Sequence, residues 1–142
     1  MSGIEAFSPT GMLHEGWDAQ IEDYAIDCGW GLQGEVFLVG DSAGGICSFK
    51  GKSGDVIWKE KEIHQGGLLA MSIHPDGNSF ATAGQDGRVL IWDVKEGKLI
   101  KDLNLGKGWA EHIKWSPNGK FLAVTLSRYV YVFSANGQQQ WR

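Results

Sequence analysis

The sequence predicts an all-β chain of three four-stranded antiparallel sheets. Short apolar runs alternate with glycine turns, no stretch shows helical periodicity, and the pattern occurs three times along the chain. A length of 142 residues suits one domain, and 42% hydrophobic with 21% charged residues is a globular composition. The composition argues against intrinsic disorder and a coiled coil. No apolar run approaches the roughly 20 residues of a membrane-spanning helix, so we predict no membrane association.

The repeat is carried by a turn sequence that recurs with a nearly constant period. HPDGNSF at 74–80 is answered by SPNGKFL at 116–122 and, more faintly, by LQGEVFL at 32–38. The shared glycines are spaced 43 and 42 residues apart, and the runs ICSF, VLIW and VYVF recur with about the same period. Each unit therefore holds four short strands joined by glycine turns, which is a four-stranded meander.

The repeat divides the chain into units of about 21–63, 64–105 and 106–142, with residues 1–20 as an N-terminal extension. The predicted strands, in chain order, are YAIDCGW, EVFLVGD, GICSFK and DVIWKEK, then LLAMSIH, SFATAG, RVLIWDV and KLIKDLNL, then WAEHIKW, KFLAVTL, YVYVF and QQQWR. Several strands are apolar on both faces, so we expect the sheets to pack face to face.

The second unit carries a characteristic set of residues at fixed places. The set consists of His64, the apolar positions Leu68, Met71 and Ile73, the HPDG turn, Asp86-Gly87 and finally Trp92-Asp93. It resembles a complete WD repeat, the blade of a WD-repeat β-propeller, and the resemblance covers about residues 20–142. It implies that each unit is one propeller blade.

The neighbouring units depart from this pattern. The third has Gly106 in place of the histidine and Phe133-Ser134 in place of Trp-Asp. The first has Ile21, Ala43 and Phe49-Lys50 at the corresponding places. The resemblance is therefore specific in the second unit and degenerate in the other two.

Two tryptophans mark the ends of the first and last units. Trp58 and Trp141 follow Gly54 and Gly137 by four residues, which resembles the GxxxW ending of quinoprotein-type blades. We interpret this ending as a related propeller signature, and it predicts no quinone cofactor.

Four polar residues of the second unit, His64, Thr82, Asp86 and Trp92, allow two interpretations. A nucleophilic triad of hydroxyl, imidazole and carboxylate would need an exposed hydroxyl beside an oxyanion hole, and the sequence offers neither. The WD-repeat resemblance implies a buried chain instead. In it Asp86 accepts from His64, His64 meets Thr82, and Thr82 accepts from the indole of Trp92. We predict a structural network and no enzyme, since buried polar groups are normally paired.

The entrance to the first strand of each unit holds Tyr24, Gly67 and Trp109 at equivalent positions. The propeller resemblance puts these residues on the top face, and it puts Arg128, in a turn of the last unit, on the same face. Exposed rings there either fill space against the next blade or anchor a partner, and interfaces are enriched in aromatic and arginine residues. Tyr24, Trp109 and Arg128 are the candidate partner-binding residues.

The net charge and the spacing of histidines and cysteines indicate which classes of ligand the protein does not bind, and the N-terminal sequence indicates where it is located. A net charge of −4 argues against a nucleic-acid partner. His14, His74 and His112 match no metal motif, and Cys28 and Cys47 lie in apolar segments. We therefore predict no metal, no cofactor, and buried, reduced thiols. No secretion signal or transit peptide is recognisable, which predicts a cytoplasmic location.

The resemblance implies a noncatalytic interaction scaffold that presents a rigid propeller face to a protein or peptide. Because propellers typically contain about 4 to 8 blades, three blades leave two sheet faces uncovered. We predict a homo-oligomeric ring, either a dimer with six blades or a trimer with nine. Residues 1–49 hold eight acids and no base, while the remainder sums to +4, which favours contact between copies. Two alternatives stay open: a quinoprotein-like cofactor-binding or enzyme fragment, and the N-terminal piece of a longer propeller without separate activity.

Overall fold

The computed structural model describes residues 13–135 and the backbone of residues 139–141. These residues form three four-stranded sheets, which we call blades 1, 2 and 3. Blade 1 contains β1 Ala25–Gly31, β2 Val36–Asp41, β3 Ile46–Lys50 and β4 Val56–Glu60. Blade 2 contains β5 Leu68–Ile73, β6 Ser79–Gly84, β7 Arg88–Asp93 and β8 Leu99–Asn104. Blade 3 contains β9 Ala110–Trp115, β10 Phe121–Leu126, β11 Tyr129–Ser134 and β12 Gln139–Trp141. The predicted all-β fold is confirmed.

Each blade is a meander whose consecutive strands are antiparallel neighbours in the sheet. The turns contain few residues; one turn of 3-10 helix, Leu32–Gly34, joins β1 to β2. Every blade has a register shift near the start of its innermost strand and another between its two outermost strands. Such bulges increase the local twist of a sheet.

The apolar core lies between the blades. The cluster between blades 1 and 2 contains Val36, Leu38, Ile46, Leu68, Met71, Phe80, Leu90, Trp92 and Val94. Between blades 2 and 3, small side chains such as Ala81 and Ala83 of blade 2 meet large ones such as Leu122, Tyr131 and Phe133 of blade 3. Burial of these faces contributes most of the stabilisation at about 25 cal/mol per Å² of apolar surface.

The HPDG-type turns connect each blade to the one before it. The carbonyl of Gly77 accepts a hydrogen bond from the Leu32 amide of blade 1, with an N···O distance of 2.8 Å. In the equivalent turn of blade 3, the carbonyl of Gly119 lies 2.9 Å from Nε2 of His74 in blade 2. His74 therefore has a structural role at the seam between blades 2 and 3.

The two cysteines differ in exposure. Cys47 is buried, and burial raises the pKa of its thiol. Cys28 is exposed, so the prediction of two buried thiols is wrong for this residue. It pairs with Val39 on the side of blade 1 that faces away from blade 2, where apolar sequence alone does not bring burial.

Candidate functional site

The four polar residues of blade 2 form one chain of hydrogen bonds. Nδ1 of His64 lies 2.9 Å from Oδ1 of Asp86, and Nε2 of His64 lies 2.8 Å from Oγ1 of Thr82. The indole N–H of Trp92 donates to the same Thr82 oxygen at 3.0 Å. The chain links the loop before β5, strand β6, the β6–β7 turn and strand β7.

The local backbone makes room for this chain. A Cβ atom on Gly84 would lie 2.6 Å from the ring of His64, so the imidazole rests directly on the end of β6. Asp86 also accepts from the amides of Gln65 at 3.0 Å and Arg88 at 3.1 Å, which holds its carboxylate in the turn. The imidazole, the turn and the strand end are thereby fixed relative to one another.

Every donor in this network of hydrogen bonds has an acceptor, and every acceptor has a donor. The carboxylate of Asp86 can only accept, so Nδ1 of His64 carries the proton, and Nε2 accepts from the Thr82 hydroxyl. The Thr82 oxygen then accepts from Trp92. Burial lowers the pKa of His64 and the hydrogen bond to Asp86 opposes that shift, which leaves a neutral imidazole favoured in the folded protein.

The Thr82 hydroxyl has no access to a substrate. Thr82 is 0% exposed, and its oxygen is engaged by both His64 and Trp92. A nucleophilic hydroxyl must reach an electrophilic carbon in solvent-accessible space. The arrangement can therefore stiffen the blade, but it cannot deliver Thr82 to a substrate.

Blade 3 has a histidine–threonine pair at a different place in the repeat, because the equivalents of His64 and Thr82 there are Gly106 and Val124. Nδ1 of His112 lies 3.0 Å from Oγ1 of Thr125, on the exposed side of the β9–β10 pair. Asp41 of blade 1 uses its Oδ1 to accept from the amides of Ala43 and Gly45 within its own turn. The full network thus belongs to blade 2.

The predicted partner-binding residues lie at one end of their blades, which we call the rim. Tyr24 is 84% exposed, and its carbonyl accepts from the amide of Ser42 at 2.8 Å at the start of β1. Trp109 is 52% exposed and lies beside the turn of Arg128, because Ala110 pairs with Leu126. Trp109 and Arg128 thus share the rim of blade 3, while Tyr24 lies at the corresponding position of blade 1.

The charges along the rim differ between its ends. Blade 3 contributes the exposed cations Lys107 and Arg128, whereas blade 1 contributes the exposed carboxylates Glu22 and Asp23. Within residues 13–135, no group of three His, Cys, Asp or Glu side chains lies close enough together to hold a metal ion.

Sequence reasoning missed Trp17. Its side chain is half-buried against blade 1, and its indole N–H donates to the carbonyl of Gly51 at 2.8 Å. The available signal was its distance of 41 residues from Trp58, close to the repeat period. Residues 1–12 of the predicted N-terminal extension lie outside the described residues, as does the side chain of Trp141.

Comparison with known proteins agrees with this architecture. Residues 59–93 match the family model "WD domain, G-beta repeat". Over 87% of the chain and 39% of the other protein, the fold superimposes on the crystal structure of RRP9 WD40 repeats with a TM-score of 0.80 at 15% identity. The predicted relationship is confirmed: the chain is built of WD40-type β-propeller blades.

Curated relatives are WD-repeat proteins of greater length. The small ribosomal subunit protein RACK1y of Oryza sativa subsp. japonica is 33% identical over 72 residues, which cover 51% of this chain and 21% of that protein. The p21-activated protein kinase-interacting protein 1-like of Gallus gallus is 30% identical over 96 residues, covering 68% of this chain and 26% of the relative. The chain thus spans about a fifth to a quarter of these relatives.

Proposed function

We propose that the protein is a noncatalytic interaction scaffold that holds a protein or peptide at its rim. The observation that carries the proposal is the exposure of Tyr24, since a tyrosine 84% exposed at a strand entrance adds little to packing. Trp109 and Arg128 supply the other side-chain types in which interfaces are enriched. The buried Thr82 supports the noncatalytic part of the proposal.

The partner we propose is a protein or peptide segment whose charge complements the rim. Its acidic part would lie over Lys107 and Arg128, and its basic part over Glu22 and Asp23. One relative is by name a kinase-interacting protein, which favours a protein partner. Other relatives are named as small ribosomal subunit proteins, which favours a cytoplasmic location. No helix in residues 13–135 is long and apolar enough to cross a lipid bilayer.

We also propose that copies of the chain complete a ring of six or nine blades. Ala123 of blade 3 is the repeat equivalent of Leu38 and Ala81, which pack against the following blade. Blade 3 presents Phe121, Ala123, Thr125, Val130 and Val132 on its uncovered face. The face of blade 1 that points away from blade 2 carries Cys28, Trp30, Phe37, Val39, Cys47 and Phe49, and Trp17 and Ile21 of the same chain cover part of it. Head-to-tail contact between these faces would bury both, and such contacts close into a ring when the rotation between copies divides the circle.

Replacing Trp109 by alanine should weaken partner capture at least tenfold without lowering the melting temperature. A central aromatic anchor is commonly worth about 2 kcal/mol of binding free energy, whereas an exposed ring contributes little to folding. The measurement is the amount of each protein that the immobilised chain retains from a cell lysate. Ile100→Ala is the control because Ile100, 60% exposed on an outer strand, is an apolar residue of comparable exposure. Equal capture by both variants contradicts the proposal, and a large melting loss assigns Trp109 to packing between blades.

A further inference from the structure

Trp58, on the outermost strand of blade 1, occupies a defined site on blade 2. Its ring stacks with that of Phe80 at a centroid distance of 6.1 Å, and its indole N–H donates to the carbonyl of Val94 at 2.9 Å. A Cβ atom on Gly97 would lie 2.6 Å from the ring, so glycine is what lets the indole lie on the β7–β8 turn. The GxxxW ending is thus explained by packing between blades.

Trp17 occupies the same kind of site on blade 1. Its ring lies 6.3 Å from that of Phe37 and 5.5 Å from that of Phe49, and its indole N–H donates to Gly51 at 2.8 Å. A Cβ atom on Gly54 would again lie 2.6 Å from the indole. Three partners of the two tryptophans correspond at a spacing of 43 residues: Phe37 with Phe80, Gly51 with Val94, and Gly54 with Gly97.

The segment that carries Trp17 fits blade 1 less closely than a blade fits its neighbour. Residues 13–20 form no strand, and Trp17 is the residue among them that is half-buried. Beneath Ile21 lies a cleft of about 470 Å³ that reaches Cys47, Val56 and Lys59. The ion pair between Lys59 and Glu22 spans 3.7 Å and is about half exposed, and such pairs contribute little.

A second copy that docks blade 3 on this face brings its own outermost strand. That strand, β12, is already paired with β11, and it carries Trp141 at the GxxxW position. By the repeat register, the outermost strand of the docking blade would require the site over Gly54 that Trp17 fills. That strand and the segment that carries Trp17 cannot both occupy one site.

We infer that Trp17 is an internal substitute for the outer-strand tryptophan of a neighbouring blade, and that residues 13–20 form an autoinhibitory contact which a second copy must displace to dock on blade 1. The inference rests on the proposed ring, because it names what regulates that interface. The competing occupant is the outer strand of another copy, and the site selects a tryptophan on an extended segment.

The first test compares self-association of the full chain and its variants by light scattering over a concentration series. Trp17→Ala should lower the concentration at which the chain assembles at least tenfold. Leu13→Ala, an exposed change in the same segment, should leave it unchanged. Trp17→Leu keeps an apolar side chain but loses the N–H donor to Gly51, so it should also lower the concentration at which the chain assembles. It replaces the alanine variant if that variant does not fold. Unchanged or weaker assembly of a folded Trp17 variant overturns the inference, and weaker assembly makes residues 13–20 part of the assembled interface.

A second test separates this inference from the ring. The octapeptide GDVIWKEK, residues 54–61, carries Trp58 and is added to the full-length Trp17→Ala and wild-type chains while the amide resonances of Gly51 and Gly54 are followed by NMR. Shifts in the variant at a peptide concentration at least tenfold below that needed for wild type support the inference even if neither chain self-associates, in which case only the ring fails. Equal response of both chains, or none from the variant, overturns it.

Discussion

His64→Ala should lower the free energy of unfolding by roughly 2 to 5 kcal/mol, because each unsatisfied buried polar group costs about 1 to 3 kcal/mol. The substitution leaves the Thr82 hydroxyl without an acceptor at 0% exposure and removes the proton donor to Asp86. Chemical denaturation at one fixed protein concentration gives the value, since self-association would otherwise add to the apparent stability.

His112→Ala is the matched control for this substitution. It also removes a histidine that meets a threonine hydroxyl, but that pair is exposed and includes no carboxylate. We expect a loss below about 1 kcal/mol, as is usual for surface substitutions, when both variants are measured at a concentration too low for assembly, because Thr125 lies on the face that the proposed ring buries. Similar losses for the two variants would contradict a special role for the blade 2 network, and a hydrolase activity abolished by His64→Ala would restore the triad interpretation.

The same variant should change how stability depends on pH. Because burial lowers the pKa of His64 in the folded protein, the unfolded chain binds a proton near its ordinary pKa of about 6.5 while the folded chain resists it. The contribution of His64 is therefore present above about pH 6.5 and is lost as pH falls through the folded-state pKa, by at most about 1.4 kcal/mol per pH unit. The unfolding curves of wild type and His64→Ala should converge between pH 7.5 and 5. A difference that does not change over this range would contradict the lowered pKa.

Gly87→Ala should cost roughly 2 to 5 kcal/mol of stability for a different reason. Gly87 has a φ of +70°, and a Cβ atom there would collide with the carbonyl of Gly106 in the loop between blades 2 and 3. That loop is held in place by the hydrogen bond from Leu105 to Gly87, at 2.9 Å, so the carbonyl cannot easily retreat. Left-handed backbone costs a residue with a Cβ about 1 to 2 kcal/mol, and overpacking adds about 1 to 3 kcal/mol.

Gly106→Ala separates the two terms of this prediction. Gly106 also has a positive φ, +109°, but a Cβ atom on it would meet nothing within 4 Å. The decrease in its free energy of unfolding, measured by chemical denaturation, should therefore reflect backbone strain without the collision. The decrease for Gly87→Ala should be larger. A Gly87→Ala protein within about 0.5 kcal/mol of wild type would show that the loop between blades 2 and 3 is not packed on this turn.

The fold was predictable because its signal repeats. The glycine turns and apolar runs recur at 43 and 42 residues, so the three copies reinforce one another, and the residues around His64 and Trp92 resemble a known blade. The sequence pattern also brought together Thr82 and Asp86, since their places in the repeat fix the strand and the turn on which they lie.

The remainder depends on contacts that have no local pattern. Trp17 lies in a segment without strand periodicity, and its hydrogen-bond partner Gly51 is 34 residues away. Cys28 lies in an apolar run, but its exposure is decided by what covers the far side of blade 1. Both cases concern the uncovered face of blade 1, where the identity of the neighbour sets the burial.

In the proposed ring, the outward faces of blades 1 and 3 of neighbouring copies meet and the ring closes. Light scattering coupled to size-exclusion chromatography, from micromolar concentration upward and in moderate salt, tests it most directly because exposed charges are then screened. The ring predicts a single species of two or three times the chain mass of 15.6 kDa, with no growth beyond it. A stable species of 15.6 kDa over the whole range for both the wild type and Trp17→Ala, or polymers that lengthen with concentration, would contradict it.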